Sequence, residues 1–209
     1  MIGTKEKIWR TALELFAQKG FEATSVSDLA GRLGLSKGAL YKHFADKRAI
    51  LEEIIRQMAE QDGLAAQKYA VPAETFSANP ASYVHTELSQ AIAFTKAQFG
   101  FWALDEVGAN FRRLLIVEQY GSAEFAELYN NYLGSGPLLY MQDIFQTMIE
   151  QGKLAPAPAL RLATEFYAPF VFLLNQHDHG RPFAECLAIL SECLNSFVER
   201  YALKPNLDT

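Results

Sequence analysis

With 209 residues, half of them hydrophobic, the chain can form one or two domains with a substantial core. Its formal net charge of −5 argues against a protein that coats nucleic acid over its whole surface. The two cysteines, Cys186 and Cys193, lie on one predicted helix, about 10 Å apart along its axis, which excludes a disulfide between them.

No segment indicates export or membrane insertion. The first residues, MIGTKEKIWR, lack the apolar segment of a signal peptide. The longest apolar run, Tyr167 to Leu174, is too short to span a bilayer. Together with reduced cysteines, these features predict a cytoplasmic protein.

Charge is unevenly distributed along the chain. Residues 1–50 hold nine basic and five acidic side chains, a net charge of +4, so the remainder carries −9. A basic N-terminal segment (the head, residues 1–50) joined to an acidic remainder (the body) is typical of a DNA-contacting module linked to a part that avoids DNA. The alternative is ordinary scatter of surface charge.

The stretch from Thr24 to Lys47 follows a predicted helix at 5–19 and reads as two short helices joined by a tight turn, then the start of a third. Ser25 and Asp28 have the spacing of a capping box. Gly34 is expected to end the first of these helices, because its C-terminal cap needs a residue that tolerates positive φ.

The second short helix begins after its predicted cap, Ser36, and turns Leu40 and Phe44 inward. The solvent face of this helix is predicted to comprise Lys37, Gly38, Ala39, Tyr41, Lys42 and His43. Cations and hydroxyls can meet phosphates there, and small residues let the backbone approach base edges. The pattern predicts a helix-turn-helix whose second helix enters the DNA major groove. A plain packing motif is the alternative.

These residues resemble the TetR family of transcriptional regulators. The resemblance covers roughly the first fifty residues and is carried by LFAQKGFEATSV, DLAGRLGLSKGALYKHF and DKRAIL. It implies a DNA-binding regulator, usually a repressor relieved by a ligand, and no enzyme. The expected fold is all-α, with a three-helix helix-turn-helix DNA-binding domain at 1–47 and a larger helical ligand-binding and dimerisation domain at 48–209.

Within this motif, Lys37 is the predicted contact to a base edge, with guanine as its usual acceptor, and Lys42 can contact a base or a phosphate. Tyr41, His43 and Lys47 are predicted phosphate contacts, and Ser25 and Ser27 are predicted to contact phosphates as well. The predicted DNA-binding set is Ser25, Ser27, Ser36, Lys37, Gly38, Ala39, Tyr41, Lys42, His43 and Lys47.

The remaining chain predicts further helices and no strand. These helices are expected at 46–69, 80–98, 103–120, 122–133, 138–151, 159–176 and 182–201. Gly100 and Gly108 are expected to interrupt the middle of this region, and Asp46 is expected to cap the long helix that links head to body.

The last predicted helix carries a heptad-like apolar seam, and the helix before it is apolar nearly all round. Two copies could bury these faces in a symmetric four-helix interface. The predicted interface residues are Phe166, Phe170, Phe183, Leu187, Leu190, Leu194, Phe197 and Tyr201. A homodimer would present two recognition helices about 34–36 Å apart, which predicts a palindromic double-stranded operator. A large monomeric core is the alternative.

Aromatic residues are frequent in the middle of the chain, and the TetR resemblance implies a small-molecule effector bound there. The candidate pocket residues are Phe94, Phe99, Trp102, Phe111, Tyr120, Tyr140 and Phe145. An apolar or aromatic effector is preferred, and core packing is the alternative for each residue. An effector that favours one spacing of the DNA heads would shift operator affinity through the helix that begins after Asp46.

No nucleophile elbow, phosphate-cradling glycine loop or zinc-ligand spacing occurs in the sequence, so no catalytic residue, metal or cofactor is predicted. His177, Asp178 and His179 could hold a metal with Cys186, but a polar turn between helices explains them as well. A helical small-molecule-binding protein without operator activity is the alternative function.

Overall fold

The computed structural model describes residues 3–203, and its regular secondary structure is helical apart from one isolated bridge between Leu154 and Ala202. This confirms the predicted all-α class. The helices in the described part are α1 (Thr4–Lys19), α2 (Val26–Leu33), α3 (Lys37–Tyr41), α4 (Lys47–Tyr69), α5 (Pro80–Val84), α6 (Leu88–Leu104), α7 (Glu106–Glu118), α8 (Ala123–Tyr132), α9 (Ser135–Glu150), α10 (Ala159–Asp178) and α11 (Phe183–Tyr201).

The chain divides into two compact units. The first, Met1–Gly63 with Leu104–Tyr129, contains α1, α2, α3, α7 and the N-terminal parts of α4 and α8. In it α1 buries an apolar stripe that includes Ile8 and Phe16 and packs against both α2 and α7. Burying side chains of this size stabilises a fold by about 1.5–3 kcal/mol each. The functional division at residues 47 and 48 stays a prediction.

The second unit, Leu64–Ala103 with Asn130–Thr209, has α10 packed between α9 and α11. Its core contains a triangle of rings from Phe145, Phe166 and Phe197, with centroids 5.1–5.2 Å apart. Two of the three pairs are edge-to-face and the third is tilted. Aromatic pairs add about 0.5–1.5 kcal/mol each to the energy of burial. These helices are therefore held together within one protomer.

The heptad-like seam of α11 faces this core. Five of the residues predicted to line a dimer interface are buried inside the protomer: Phe166, Phe170, Leu190, Leu194 and Phe197. A seam with this period fits packing within one chain as well as between chains, because both require an apolar stripe along the helix. Only Phe183, Leu187 and Tyr201 of that set keep partial exposure, so a surface for a second copy needs other residues.

Two predicted helix boundaries are wrong. The helix expected at 80–98 is divided into α5 and α6, because the Gln90 side chain accepts a hydrogen bond from the Glu87 backbone N–H at 2.7 Å and opens a new helix there. The helix expected from residue 103 begins at Glu106, because the Asp105 carboxylate caps it by accepting from two backbone N–H groups.

Gly100 does not interrupt α6. A Cβ built on Gly100 would lie 3.9 Å from the Phe183 ring, an ordinary van der Waals distance, so packing at this position does not require glycine. Asp46 does cap α4 as predicted, accepting from the Ala49 backbone N–H at 2.8 Å. Among residues 3–203, no helix is both long and apolar enough to cross a membrane.

Candidate nucleic-acid interface

The first helix of the motif, α2, begins with the predicted capping box. The Ser25 hydroxyl oxygen accepts from the Asp28 backbone N–H at 3.1 Å, and the Asp28 carboxylate accepts from the Ser25 backbone N–H at 2.8 Å. The Ser25 hydroxyl also donates to that carboxylate at 2.7 Å. These hydrogen bonds from Ser25 lower the pKa of Asp28 and fix the direction in which α2 leaves the preceding loop.

The turn after α2 depends on Gly34, which has φ +65° in the left-handed region. The next backbone N–H, from Leu35, donates to the Ala30 carbonyl at 2.9 Å and closes a Schellman-type cap. The predicted role of Gly34 is therefore confirmed, and this turn sets the angle between α2 and α3.

Substituting Gly34 and Gly31 separately by alanine is expected to give opposite effects. Gly34→Ala should destabilise the protein by about 1 kcal/mol, because its φ is unfavourable for a residue with a Cβ. Gly31→Ala places a Cβ with nothing within 4 Å on an exposed helical position, which should stabilise by about 0.5–1 kcal/mol. Urea unfolding of both variants measures the difference, and equal stabilities would contradict the assigned role of Gly34.

The second helix, α3, is short and is positioned from both ends. At its start the Ser36 hydroxyl oxygen accepts from the Ala39 backbone N–H at 3.1 Å. At its end the His43 N–H donates to the Leu40 carbonyl at 2.9 Å, which continues the chain as a turn. The side chains of Leu40 and Phe44 are buried as predicted and fix the outward face.

Six of the predicted DNA-contact residues share that outward face or its N-terminal edge and are exposed: Ser36, Lys37, Gly38, Tyr41, Lys42 and His43. Ala39 is half-buried beside them, and Ser27 is exposed on α2. Within residues 3–203 the Lys37 and Lys42 ammonium groups have no ion pair, so both can meet an anion without breaking an internal bond. The contacts themselves remain predictions.

Two members of the predicted set are engaged inside the protein. Ser25 is part of the capping box. The Lys47 ammonium donates to the Phe21 carbonyl at 2.7 Å and to the Glu22 carbonyl at 3.3 Å. It also lies 4.3 Å from the centroid of the Phe21 ring. Lys47 therefore anchors the loop between α1 and α2, a role that its position at the start of α4 did not indicate.

Other residues that hold this motif could not be identified from sequence. The Glu118 carboxylate accepts from the Phe21 backbone N–H at 2.8 Å, across 97 positions of sequence. Arg48, at the start of α4, pairs with Glu124 at 2.5 Å. The Phe21 side chain itself is buried beneath the loop.

The seven candidate effector-pocket residues do not form one group. Phe94 and Tyr140 are neighbours, with ring centroids 6.3 Å apart. Phe99 packs on the rings of Phe170 in α10 and Phe183 in α11. Trp102 contacts the rings of Phe101 and Tyr132, and Phe145 belongs to the core triangle. Phe111 is buried in the first compact unit, and Tyr120, in the same unit, is 90% exposed.

The polar turn after α10 uses its histidines locally. The Nδ1 atoms of His177 and His179 lie 3.0 Å and 2.8 Å from backbone carbonyls of Arg181 and Asn175. In the part of the chain that the structure describes, no three of His, Cys, Asp or Glu cluster closely enough to hold a metal ion.

Comparison with known proteins gives matches to the motif and to the whole fold. Residues 8–54 match the family described as bacterial regulatory proteins, tetR family. The HTH-type transcriptional regulator YerO of Bacillus subtilis (strain 168), described as uncharacterized, is 51% identical over 47 residues, which is 22% of this chain and 16% of YerO. The HTH-type transcriptional repressor KstR2 of Rhodococcus jostii (strain RHA1) is 39% identical over 54 residues, 26% of each chain.

The matches therefore span about a sixth of YerO and about a quarter of KstR2. At the level of fold the similarity extends over the chain. SmeT from Stenotrophomonas maltophilia, solved in complex with triclosan, superposes with a TM-score of 0.67 at 16% identity, covering 97% of this chain and 93% of SmeT.

Proposed function

Because the chain belongs to the TetR family of transcriptional regulators, we propose that it binds a specific operator and represses transcription from it. The observation that carries the proposal is the outward face of α3, where Lys37, Tyr41 and Lys42 are exposed on a helix fixed by Ser36 and by buried Leu40 and Phe44. A rigid, cationic helix of this size fits the major groove. Lys37 reads a base edge, and Tyr41 and His43 contact phosphates.

The operator is palindromic, and the protein binds it as a homodimer. Support comes from α10, which leaves Leu160, Val171 and Phe172 exposed although they are large and apolar. The adjoining α11 is exposed at Ala184 and Ala188, whose small side chains permit close approach of another helix. Burying such a surface in a two-fold interface pairs two recognition helices at the spacing of successive major grooves.

A small apolar or aromatic effector controls operator affinity by binding in the second compact unit. Support comes from a connected set of rings from Tyr69, Phe94, Tyr140 and Tyr83, in which neighbouring centroids lie 6.0–6.3 Å apart. The Tyr140 and Tyr83 hydroxyls donate to the Pro72 and Glu74 carbonyls, so they hold the loop after α4. The triclosan complex of SmeT, a protein with this fold, agrees with an aromatic ligand.

Selection from randomised duplex DNA tests the proposal. The full-length protein should enrich an inverted repeat, and footprinting of the enriched duplex should protect two half-sites one helical turn apart on one face. Binding should weaken steeply as salt rises, because phosphate contacts release counterions. Failure to enrich any sequence at low ionic strength would instead favour a helical small-molecule-binding protein without operator activity.

A further inference from the structure

Phe21, in the loop between α1 and α2, is held by groups from distant parts of the first compact unit. Its backbone N–H donates to Glu118 Oε1 at 2.8 Å, and its carbonyl accepts from Lys47 Nζ at 2.7 Å. Its ring packs on Phe16 at 5.0 Å and on Phe125 at 5.7 Å between centroids. The loop is therefore fixed by α1, α4 and the α7–α8 segment together.

The Glu118 carboxylate lies close to the backbone of the loop at Gly20 and Phe21. Gly20 has φ +88°, a conformation that favours glycine, and a Cβ there would lie 2.7 Å from Glu118 Oε1, so an added side chain would push the carboxylate end of Glu118 aside. Glu118 is the last residue of α7, where the helix dipole disfavours a carboxylate. The Phe21 N–H gives this anion a donor and accounts for its placement.

The loop transmits its position directly to the start of α2. The Thr24 side chain is buried and its hydroxyl donates to the Gly20 carbonyl at 2.8 Å, which makes residues 20–24 one compact turn. Ser25, the α2 cap, follows immediately. A shift of Glu118 would therefore act on a compact loop that leads directly into the N-terminal end of α2.

We propose that Glu118 is a positioning residue through which α7 sets the orientation of the helix-turn-helix, and so its affinity for DNA. The proposal rests on the proposed function and adds the route of its regulation. α7 packs along α1 and ends at the loop, so any displacement of α7 along its axis reaches α2 through the Glu118–Phe21 hydrogen bond. Lys47 holds the other side of Phe21 through its hydrogen bond to the Phe21 carbonyl.

The test compares Glu118→Ala, Glu118→Gln and the control Glu127→Ala in the full-length chain. Glu127 is an exposed carboxylate of α8 in the same compact unit, so its loss changes net charge equally. The probe is the duplex that the wild-type protein selects from randomised DNA, and hydrogen exchange of residues 20–25 is measured in parallel. Far-ultraviolet circular dichroism confirms that each variant is folded at the assay temperature.

Glu118→Ala should bind this duplex about fivefold to tenfold more weakly and exchange the loop amides faster, since one charge-assisted hydrogen bond is removed. The salt dependence should not change, because every phosphate contact is kept. Glu118→Gln keeps an accepting oxygen and should restore both readouts, and Glu127→Ala should match the wild type.

Wild-type affinity and exchange in Glu118→Ala would overturn the proposal, as would a Gln variant no better than Ala. If the wild-type protein selects no duplex, the proposed function fails instead, and exchange at residues 20–25 still decides whether Glu118 holds the loop.

Discussion

Replacing both Lys37 and Tyr41 by alanine is expected to weaken operator binding by about a hundredfold. A lysine that reads guanine contributes about 1–3 kcal/mol of discrimination, and loss of a phosphate hydrogen bond from tyrosine adds about 1 kcal/mol. Both side chains are exposed on α3, and within residues 3–203 neither makes a hydrogen bond or ion pair, so stability should change little. Fluorescence anisotropy with the selected duplex at several salt concentrations gives the affinities.

A matched control removes the same two residue types elsewhere. Lys68 and Tyr120 are exposed outside the helix-turn-helix, and Lys68→Ala with Tyr120→Ala should leave binding unchanged. The salt slope should fall by about one for each phosphate that the α3 variant can no longer bind, and it should stay constant in the control. Equal affinity of the two double variants would show that α3 does not read the groove.

The residues that sequence predicted well are those whose structure is determined locally. The Ser25–Asp28 capping box, the Ser36 cap and the left-handed Gly34 all depend on hydrogen bonds within a few residues. The spacing of polar and apolar side chains contains enough information to place them. The outward face of α3 follows from the same short-range pattern, because Leu40 and Phe44 lie on the opposite side.

Tertiary partners could not be predicted. The spacing of apolar residues along a helix and its composition do not determine which other helix packs against its apolar stripe. The seam of α11 has the spacing of an interface between chains, yet it packs on Phe145 and Phe166 of its own chain. The Glu118 carboxylate has no sequence signal, since its donor is a backbone N–H 97 residues away. Lys47 was predicted as a phosphate contact, and its anchoring bonds could not be predicted because they require the folded loop.

The second large effect is expected from Phe172→Arg on α10. The Phe172 side chain is 61% exposed, and Leu160 and Val171 are also exposed on α10, a helix whose other side is buried in the core. In a two-fold interface each arginine would face an apolar surface or its own symmetry mate, so the charges would be desolvated without partners. The variant should be a folded monomer at micromolar concentration in sedimentation equilibrium.

Leu104→Arg is the control, because Leu104 is 58% exposed and belongs to the other compact unit. It introduces the same charge into an exposed apolar position and should leave the assembly unchanged. A Phe172→Arg protein that sediments like the wild type would place the interface elsewhere, and a monomeric wild type would remove the dimer from the proposal.

Loss of the dimer should lower affinity for the operator more than loss of any single contact on α3. In a dimer the second head binds from a high effective concentration, so separating the heads should weaken binding to the full palindrome by about a hundredfold or more. Affinity for an isolated half-site should remain at the wild-type level, because the α3 face is untouched. This pattern distinguishes Phe172→Arg from the Lys37 and Tyr41 variant, which should lose affinity for half-site and palindrome alike.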